Sequence, residues 1–449
     1  MAEMTEKINV KEIETLVETA KKAQGEYEHF TQEQVDAVVK NVYRATLNNA
    51  EKLAEAAHKE TGFGKVSDKI IKNTFASEQV YESIKDLPTV GVINRLEKEK
   101  IIEIGIPLGI VAGLIPSTNP TATVIFKSLI ALKTRNAIIF SPHPKALNAI
   151  LLAAQVIETA AVEAGAPAGL VQVIHEPTLD ATSALMKHTD ISLILATGGK
   201  AMVQAAYSSG NPAIGVGPGN VPALIDASAD IAHAINCVVS SKTFDNGIIC
   251  ASEQALVVEK SVKDAVIEQL NAKHAYFMNE EEAEKVSRYI LRETGTLNPE
   301  IVGKSAVDVA QLVGISVPDT TTILISEQTE IGHHNPFSRE KLTPILGLYT
   351  VNSFEEGVET CKQLLANEGT GHTAVIHTTI DKNAETFGLE MKASRILVNT
   401  LGALGAIGAT TNLSPSMTLG CGAMGGSSTT DNVTAHHLMN VKRIAYGVE

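Results

Sequence analysis

The chain has 449 residues, 44% of them hydrophobic, which is enough apolar side chain for two or three domains with large cores. A net charge of −14 disfavours nucleic acid and anionic membrane as partners, and an anionic cofactor would need local fields such as helix N-termini. Four cysteines (Cys237, Cys250, Cys361 and Cys421) with no CxxC pair exclude a disulfide framework and a structural zinc site, so no metal is expected.

The N-terminal segment has no unbroken apolar h-region. It predicts an amphipathic helix with Val10, Ile13, Leu16, Val17 and Ala20 on one side. No unbroken apolar run of 18 residues occurs, so no membrane span is expected, and the expected setting is a reducing cytoplasm. Residues 8–85 read as helices with charged faces. In "RLEKEKIIEIGIPLG", 95–109, apolar and charged residues alternate, which predicts one arm of an exposed hairpin suited to subunit contact.

From 109 the pattern changes to strand, turn and helix with short connections. "GIVAGLI" is a buried-strand run, "PSTNP" breaks it, and an apolar helix follows at 121–134. The strands "AIIF", "VQVI" and "ISLILA" alternate with helices at 145–164, 178–187 and 200–209. This predicts an α/β protein with a doubly wound parallel sheet. After Cys250 a second series begins with "EQALVVEK", and a domain boundary is placed near 244. Residues 400–430, rich in Gly, Ser, Thr and Ala, predict an ordered loop region.

Several motifs carry two readings. "ATGGKAMV", 196–203, puts Thr197, Gly198 and Gly199 between strand and helix, where backbone N–H groups can face a pyrophosphate or merely turn the chain. "GVGPGNVP", 215–222, lacks the spacing of a dinucleotide fingerprint and is read as a loop lining a site, with Gly217 in it. Asn119 of "PSTNPT" can hold an oxyanion or cap a helix, and local sequence favours capping. Cys250 of "FDNGIICASEQ" can be a nucleophile or a buried apolar residue, and Cys421 of "TLGCGAMGG" is its rival. His143, His372, His436 and His437 are scattered, and His333–His334 read as an exposed loop.

Taken in order, "IPSTNP", "SPHP", "LATGG", "GVGPGN", "KTFDNGIICASEQ", "EKLTPI", "GHTAVIHT", "RILVNT" and "SMTLGCGAMGG" resemble the CoA-acylating branch of the aldehyde dehydrogenase superfamily. The likeness runs from about residue 10 to the end. It is strongest to the aldehyde dehydrogenase half of bifunctional aldehyde–alcohol dehydrogenases and extends to CoA-acylating succinate-semialdehyde dehydrogenases. An iron-dependent alcohol dehydrogenase half is not expected within these 449 residues. The resemblance implies the aldehyde dehydrogenase fold: an NAD/CoA-binding, Rossmann-like domain at 1–244 with an oligomerisation hairpin near 92–108, an α/β catalytic domain at 245–425, and a C-terminal segment, 426–449, serving oligomerisation. It implies Cys250 as nucleophile and Asn119 with the Cys250 N–H as oxyanion hole. It places Glu340 at the nicotinamide ribose. The cofactor's adenosine side falls to Ser141, Pro142, His143 and Pro144 with Thr197, Gly198 and Gly199. Thr400, Cys421, Met424 and His372 are assigned to the CoA or acyl pocket, with the role of His372 open.

Two departures from the hydrolytic enzymes stand out. Where those enzymes carry a water-activating glutamate, this chain has Gly215 or Val216, and their cofactor-binding lysine is replaced by Ser141. Without that base a thiol is the better acceptor of a Cys-bound acyl group. The resemblance thus implies reversible oxidation of a short-chain, acetaldehyde-like substrate to acyl-CoA, with NAD (NADP as alternative) and coenzyme A, by a homodimer or larger homo-oligomer. Succinate semialdehyde and sulfoacetaldehyde are alternative substrates, and a hydrolytic aldehyde dehydrogenase is the less favoured reading. Met424, where the bifunctional relatives carry Trp, argues for a differently shaped acyl site.

Overall fold

The computed structural model describes residues 2–448, with side chains from Lys11 onward, so the side chain of Val10 lies outside the described residues. Four helices come first: Ala2–Tyr27, Gln32–Asn48, Ala50–Thr61 and Val66–Ile84. Their breaks have local causes. Thr31 and Gln34 form a capping box at the second, and Gly62, at φ 68°, ends the third in the left-handed region. Ile13, Val17 and Ala20 are buried as the helical spacing predicts.

The first sheet has five parallel strands in the order Val171–Val173, Ala137–Pro142, Ile110–Ile115, Ile191–Thr197, Ala213–Val216. Chain order reverses beside Ile110–Ile115. The switch point therefore lies between that strand and Ile191–Thr197, at their C-terminal ends, where doubly wound sheets bind ligands. These strands are near-continuous apolar runs because helices cover both faces. Pro144–Glu163, one of those covering segments, is long and apolar enough to cross a membrane by length and composition, with mean hydropathy 1.4. Its helix packs on Gln32–Asn48 and Pro120–Lys133 and buries Ile150, Ala153 and Ile157.

The second sheet has seven parallel strands: Ala275–Phe277, Ile323–Gln328, Ile345–Val351, Glu253–Glu259, Val221–Ile225, Gly371–His377, Ala393–Val398. Val221–Ile225 lies upstream of 244, yet pairs with Glu253–Glu259. The chain thus passes between sheets at 217–220, not near 244 as the sequence suggested. A five-residue apolar run such as "VPALI" carries no signal of which sheet it joins. The third sheet is antiparallel. The expected hairpin, Gly91–Leu96 with Ile101–Pro107, takes Met439–Ala445 as its other edge. Residues 400–430 are mostly irregular, with one short α-helix, Gly402–Ala406, and a 3-10 turn, Ala423–Gly425.

One buried amide joins the arm to the first sheet. Asn136 Oδ1 accepts from the N–H of Leu108 (2.7 Å) and Gly109 (2.9 Å), while Nδ2 donates to Leu438 O at 2.7 Å. Asn136→Ala would leave three backbone groups without partners. We expect a loss of about 3 kcal/mol in urea unfolding; a loss under about 1 kcal/mol would mean that water substitutes for the amide.

Candidate active site

The C-terminal ends of the first sheet face the N-terminal ends of the second across a cavity of about 850 Å³. The first sheet contributes Asn119, the turn from Ser141 to Pro144, and Thr197, Gly198 and Gly199. The connection and the second sheet contribute Gly217, Cys250 and Glu340. Eleven of the residues singled out from the sequence thus line one space. His372 and the buried Cys421 lie outside this lining; His372 touches Cys250, and Cys421 lies within its electrostatic reach. Thr400 and Met424 are not among the lining residues. Thr400 follows the C-terminal end of Ala393–Val398, the far end of that sheet, and bonds Thr410 Oγ1 at 2.8 Å. Met424 sits on a short turn and is 49% exposed. For Thr400 the cause is sheet direction, which decides which end of a strand faces the cavity.

The loop before Cys250 has an unusual backbone. Asp245 (φ 46°), Asn246 (φ 54°) and Gly247 (φ 73°) are all left-handed, a conformation that Asp, Asn and Gly tolerate best. Non-Gly residues stay there only where surroundings over-determine them. Here they do. Asp245 Oδ1 accepts from Lys65 N at 2.7 Å, and its Oδ2 pairs with Lys69 at 3.0 Å and with Lys72. The Asp245 N–H donates to Asp68 Oδ2 at 2.7 Å, and Asn246 Nδ2 to Gly303 O at 2.9 Å. On the other side Gly219 passes so close that a Cβ there would lie 2.0 Å from Cys250 O.

Asn119 precedes the helix Pro120–Lys133 but makes no side-chain cap, contrary to the local expectation. Its Oδ1 accepts from Lys72 Nζ at 2.6 Å and its Nδ2 lies 3.3 Å from Thr118 Oγ1. His372 Nε2 is 3.2 Å from Cys250 Sγ, and its Nδ1 is 2.9 Å from Thr373 Oγ1. Glu340 Oε1 accepts from Gly219 N at 2.8 Å. Ser141 Oγ bonds Thr182 Oγ1 at 2.8 Å, and His143 Nδ1 accepts from Lys145 N at 3.1 Å.

The sequence model of the aldehyde dehydrogenase family matches residues 2–409. The chain belongs to the aldehyde dehydrogenase family. It is 49% identical over 446 residues to the bifunctional aldehyde-alcohol dehydrogenase AdhE of Escherichia coli K12, covering 98% of this chain and 50% of that protein. The chain thus spans about half the length of the curated aldehyde–alcohol dehydrogenases it matches. An acetylating aldehyde dehydrogenase from Geobacillus thermoglucosidasius superposes with TM-score 0.98 at 50% identity, covering 99% of this chain and 98% of that one. A propionaldehyde dehydrogenase from Rhodopseudomonas palustris, solved with bound CoA and an acylated cysteine, superposes with TM-score 0.89 at 27% identity over 97% of each chain.

Within this family member, burial dominates the electrostatics. It pushes the Cys250 thiol up to about 12, with Glu340 and Cys421 adding to the rise and Arg395 opposing it. Burial and then Arg395 push His372 down to about 3. Glu340 rises to about 8 through burial and the neighbouring Glu368. Cys250 and His372 are therefore a neutral pair at rest, not a thiolate–imidazolium pair.

Sequence reasoning missed Lys69, Lys72, Asp245 and Arg395. Two lysines three apart on an amphipathic helix read as a solvated face, yet both are buried. Arg395, in the quoted "RILVNT", gave no sign of burial. It donates to Thr373 Oγ1, Thr430 O, Asn432 Oδ1, His372 O and Gly420 O, which engages all five N–H groups.

Alkylation of Cys250 by iodoacetamide tests this balance, because Cys237, Cys361 and Cys421 are buried. The reaction needs thiolate, so in the ligand-free protein it should rise with pH through 9 without a plateau. Glu340 ionises above about 8 and then opposes the thiolate. Glu340→Gln should match wild type at pH 7 and exceed it roughly threefold at pH 9; a plateau near pH 7 in wild type would mean an ion-paired thiolate.

Proposed function

We propose that the chain is a CoA-acylating aldehyde dehydrogenase, oxidising a short-chain aldehyde reversibly to acyl-CoA. The observation that carries this is that Cys250 and Asn119 line one cavity whose one carboxylate, among the described lining residues, is Glu340. The strand Ala213–Val216, where hydrolytic relatives place a base, offers Gly215 and Val216.

The residues present fit NAD. The cavity lies at the switch point, and Gly199, at the start of the helix Lys200–Tyr207, has nothing within 4 Å of where a Cβ would stand. Open space beside a helix N-terminus suits a pyrophosphate. Thr197, Gly198 and Gly199 would hold that part, the turn Ser141–Pro144 the adenosine side, and Glu340 the nicotinamide ribose. When bound, NAD would accept the aldehyde's hydride, leaving the acyl group as a thioester on Cys250.

Cys250 Sγ adds to the aldehyde carbonyl as its proton leaves through His372 Nε2, 3.2 Å away, for solvent, and Asn119 Nδ2 with the Cys250 N–H stabilises the oxygen anion. Water is a poor acceptor of the resulting thioester without a base, and the thiolate of coenzyme A, the second substrate, takes the acyl group. His372, neutral at rest, touches the sulfur and holds it in place. Arg395 has no donor left for a carboxylate or sulfonate tail. Arg395 thus offers no anchor for an anionic tail, and the cations that line the cavity are Lys145 and Arg292.

The domains follow the sheets, with cofactor and coenzyme A held by the first and the nucleophile by the second. We assign the three-stranded arm to a homo-oligomer interface, since Val92, Ile444 and Tyr446 stand exposed on it. Four unpaired cysteines support a reducing cytoplasm.

Cys250→Ser should abolish acetyl-CoA-dependent NADH oxidation, and retained activity would shift the nucleophile to Cys421. Asn119→Ala should lower kcat about 10²–10³-fold. Without coenzyme A, acetaldehyde should yield about one NADH per active site and then stop; sustained turnover would favour the free-acid reaction, with Glu340 as its base.

A further inference from the structure

The geometry points to Lys72 as a positioning residue: it orients the Asn119 amide and, through Asp245, locks that amide to the loop carrying Cys250. This rests on the reading of Asn119 as oxyanion donor and Cys250 as nucleophile.

An asparagine before a helix ordinarily turns its oxygen onto the helix's own N–H groups. Asn119 holds that place, before Pro120–Lys133, without making the bond. A lysine ammonium only donates, so Lys72 Nζ at 2.6 Å fixes the facing atom as Oδ1 and leaves Nδ2 on the other side. Nδ2 carries two hydrogens. Thr118 Oγ1, at 3.3 Å, takes one at most and leaves the other for a ligand oxygen. Without the cation, the competing cap would draw Oδ1 toward the helix and turn the donor away.

Lys72 is itself held. Its side chain is 2% exposed and its ammonium pairs with Asp245 Oδ2. Asp245 opens the left-handed run five residues before Cys250. Burial raises its carboxyl, but Lys72 and Lys69 more than offset this and hold it below the ordinary carboxylate range. One ammonium thus spans both halves of the site, with the oxyanion donor on one side and the nucleophile's loop on the other.

Lys69 supplies the internal control. It lies one turn earlier on the same helix and pairs with the same carboxylate at 3.0 Å, but makes no hydrogen bond to Asn119. A cluster that served only to clamp the fold would treat the two lysines alike.

The experiment measures kcat and KM for acetyl-CoA-dependent NADH oxidation in Lys69→Met, Lys72→Met, Asn119→Ala and Lys72→Met/Asn119→Ala. Iodoacetamide alkylation of Cys250 in each reports whether its loop is intact. We expect Lys72→Met to lower kcat by roughly 30-fold or more with KM changed less than about threefold, and Lys69→Met to stay within about threefold of wild type. The double variant should be no slower than Asn119→Ala alone, because a residue acting through another adds nothing once that other is gone. Multiplicative losses in the double variant, or equal losses from the two lysines, overturn the inference. A normal kcat in Asn119→Ala overturns the underlying reading, and the inference with it. Should Lys72→Met alone misfold, Lys69→Met/Lys72→Met/Asp245→Asn removes the charges of the cluster together, and the same comparison with and without Asn119→Ala decides.

Discussion

Four residues, 217–220, carry the chain from the end of one parallel sheet to the start of the other. So short a passage leaves the two sheets little choice of placement. The C-terminal ends of the first must face the N-terminal ends of the second, and the cavity lies between them. Loops after strands 110–115, 137–142 and 191–197 form one wall. Segments just before strands 221–225, 253–259 and 345–351 form the other. The same passage explains the glycines of "GVGPGN". At Gly219 the backbone runs against the carbonyl of Cys250 while its N–H holds Glu340.

The charge pattern near the thiol is set mainly by cations without carboxylate partners, Glu340 being the carboxylate that lines the cavity with Cys250. The surface is acidic overall, yet the buried cations near the sheets' facing ends are held largely by carbonyl oxygens. Lys127 donates to Leu114 O and Leu195 O, Lys341 to Phe337 O and Arg339 O, and Arg395 mainly to backbone as well. Burial drives Lys127 down to about 7, so carbonyls only partly replace water there. A carboxylate partner would hold each cation more firmly, but would add a negative field where a thiolate has to form. The buried ion cluster of Asp245 with Lys69 and Lys72 sits behind the loop, and a hydrogen-bond chain connects it to the site.

What the sequence made legible was whatever depends on local pattern. Apolar runs bounded by Gly and Pro marked most strands, and the strand-to-helix turns brought Asn119, the Ser141–Pro144 turn and Thr197–Gly199 to one wall. Cys250 was legible as a choice between two roles. What stayed hidden depends on direction or on partners far along the chain. Thr400 follows a strand whose start, not end, faces the cavity. Lys72 meets residues 47 and 173 positions away. No periodicity in "SDKIIKNTF" distinguishes a lysine in water from one buried against such partners. The left-handed run at 245–247 was hidden for the same reason, because its strain is held by that ion cluster.

The neutral state of Cys250 and His372 changes what the oxyanion donor has to do. In a site resting as thiolate and imidazolium, negative charge already sits on sulfur, and attack only moves it. Here the thiol stands near 12 and the imidazole near 3, so charge is costly on either. On the proposed reading, the first well-stabilised place for negative charge is the carbonyl oxygen of the substrate, beside Asn119 Nδ2. Loss of the thiol proton, by way of His372 to solvent, and growth of the oxyanion then become one event, and a misoriented amide would impair nucleophile formation as well as the intermediate. A resting neutral thiol is also a poor target for alkylation and oxidation, since both require thiolate. An uncharged Cys–His pair with a fixed amide in the same cavity thus keeps the sulfur inert until a carbonyl arrives to take the charge.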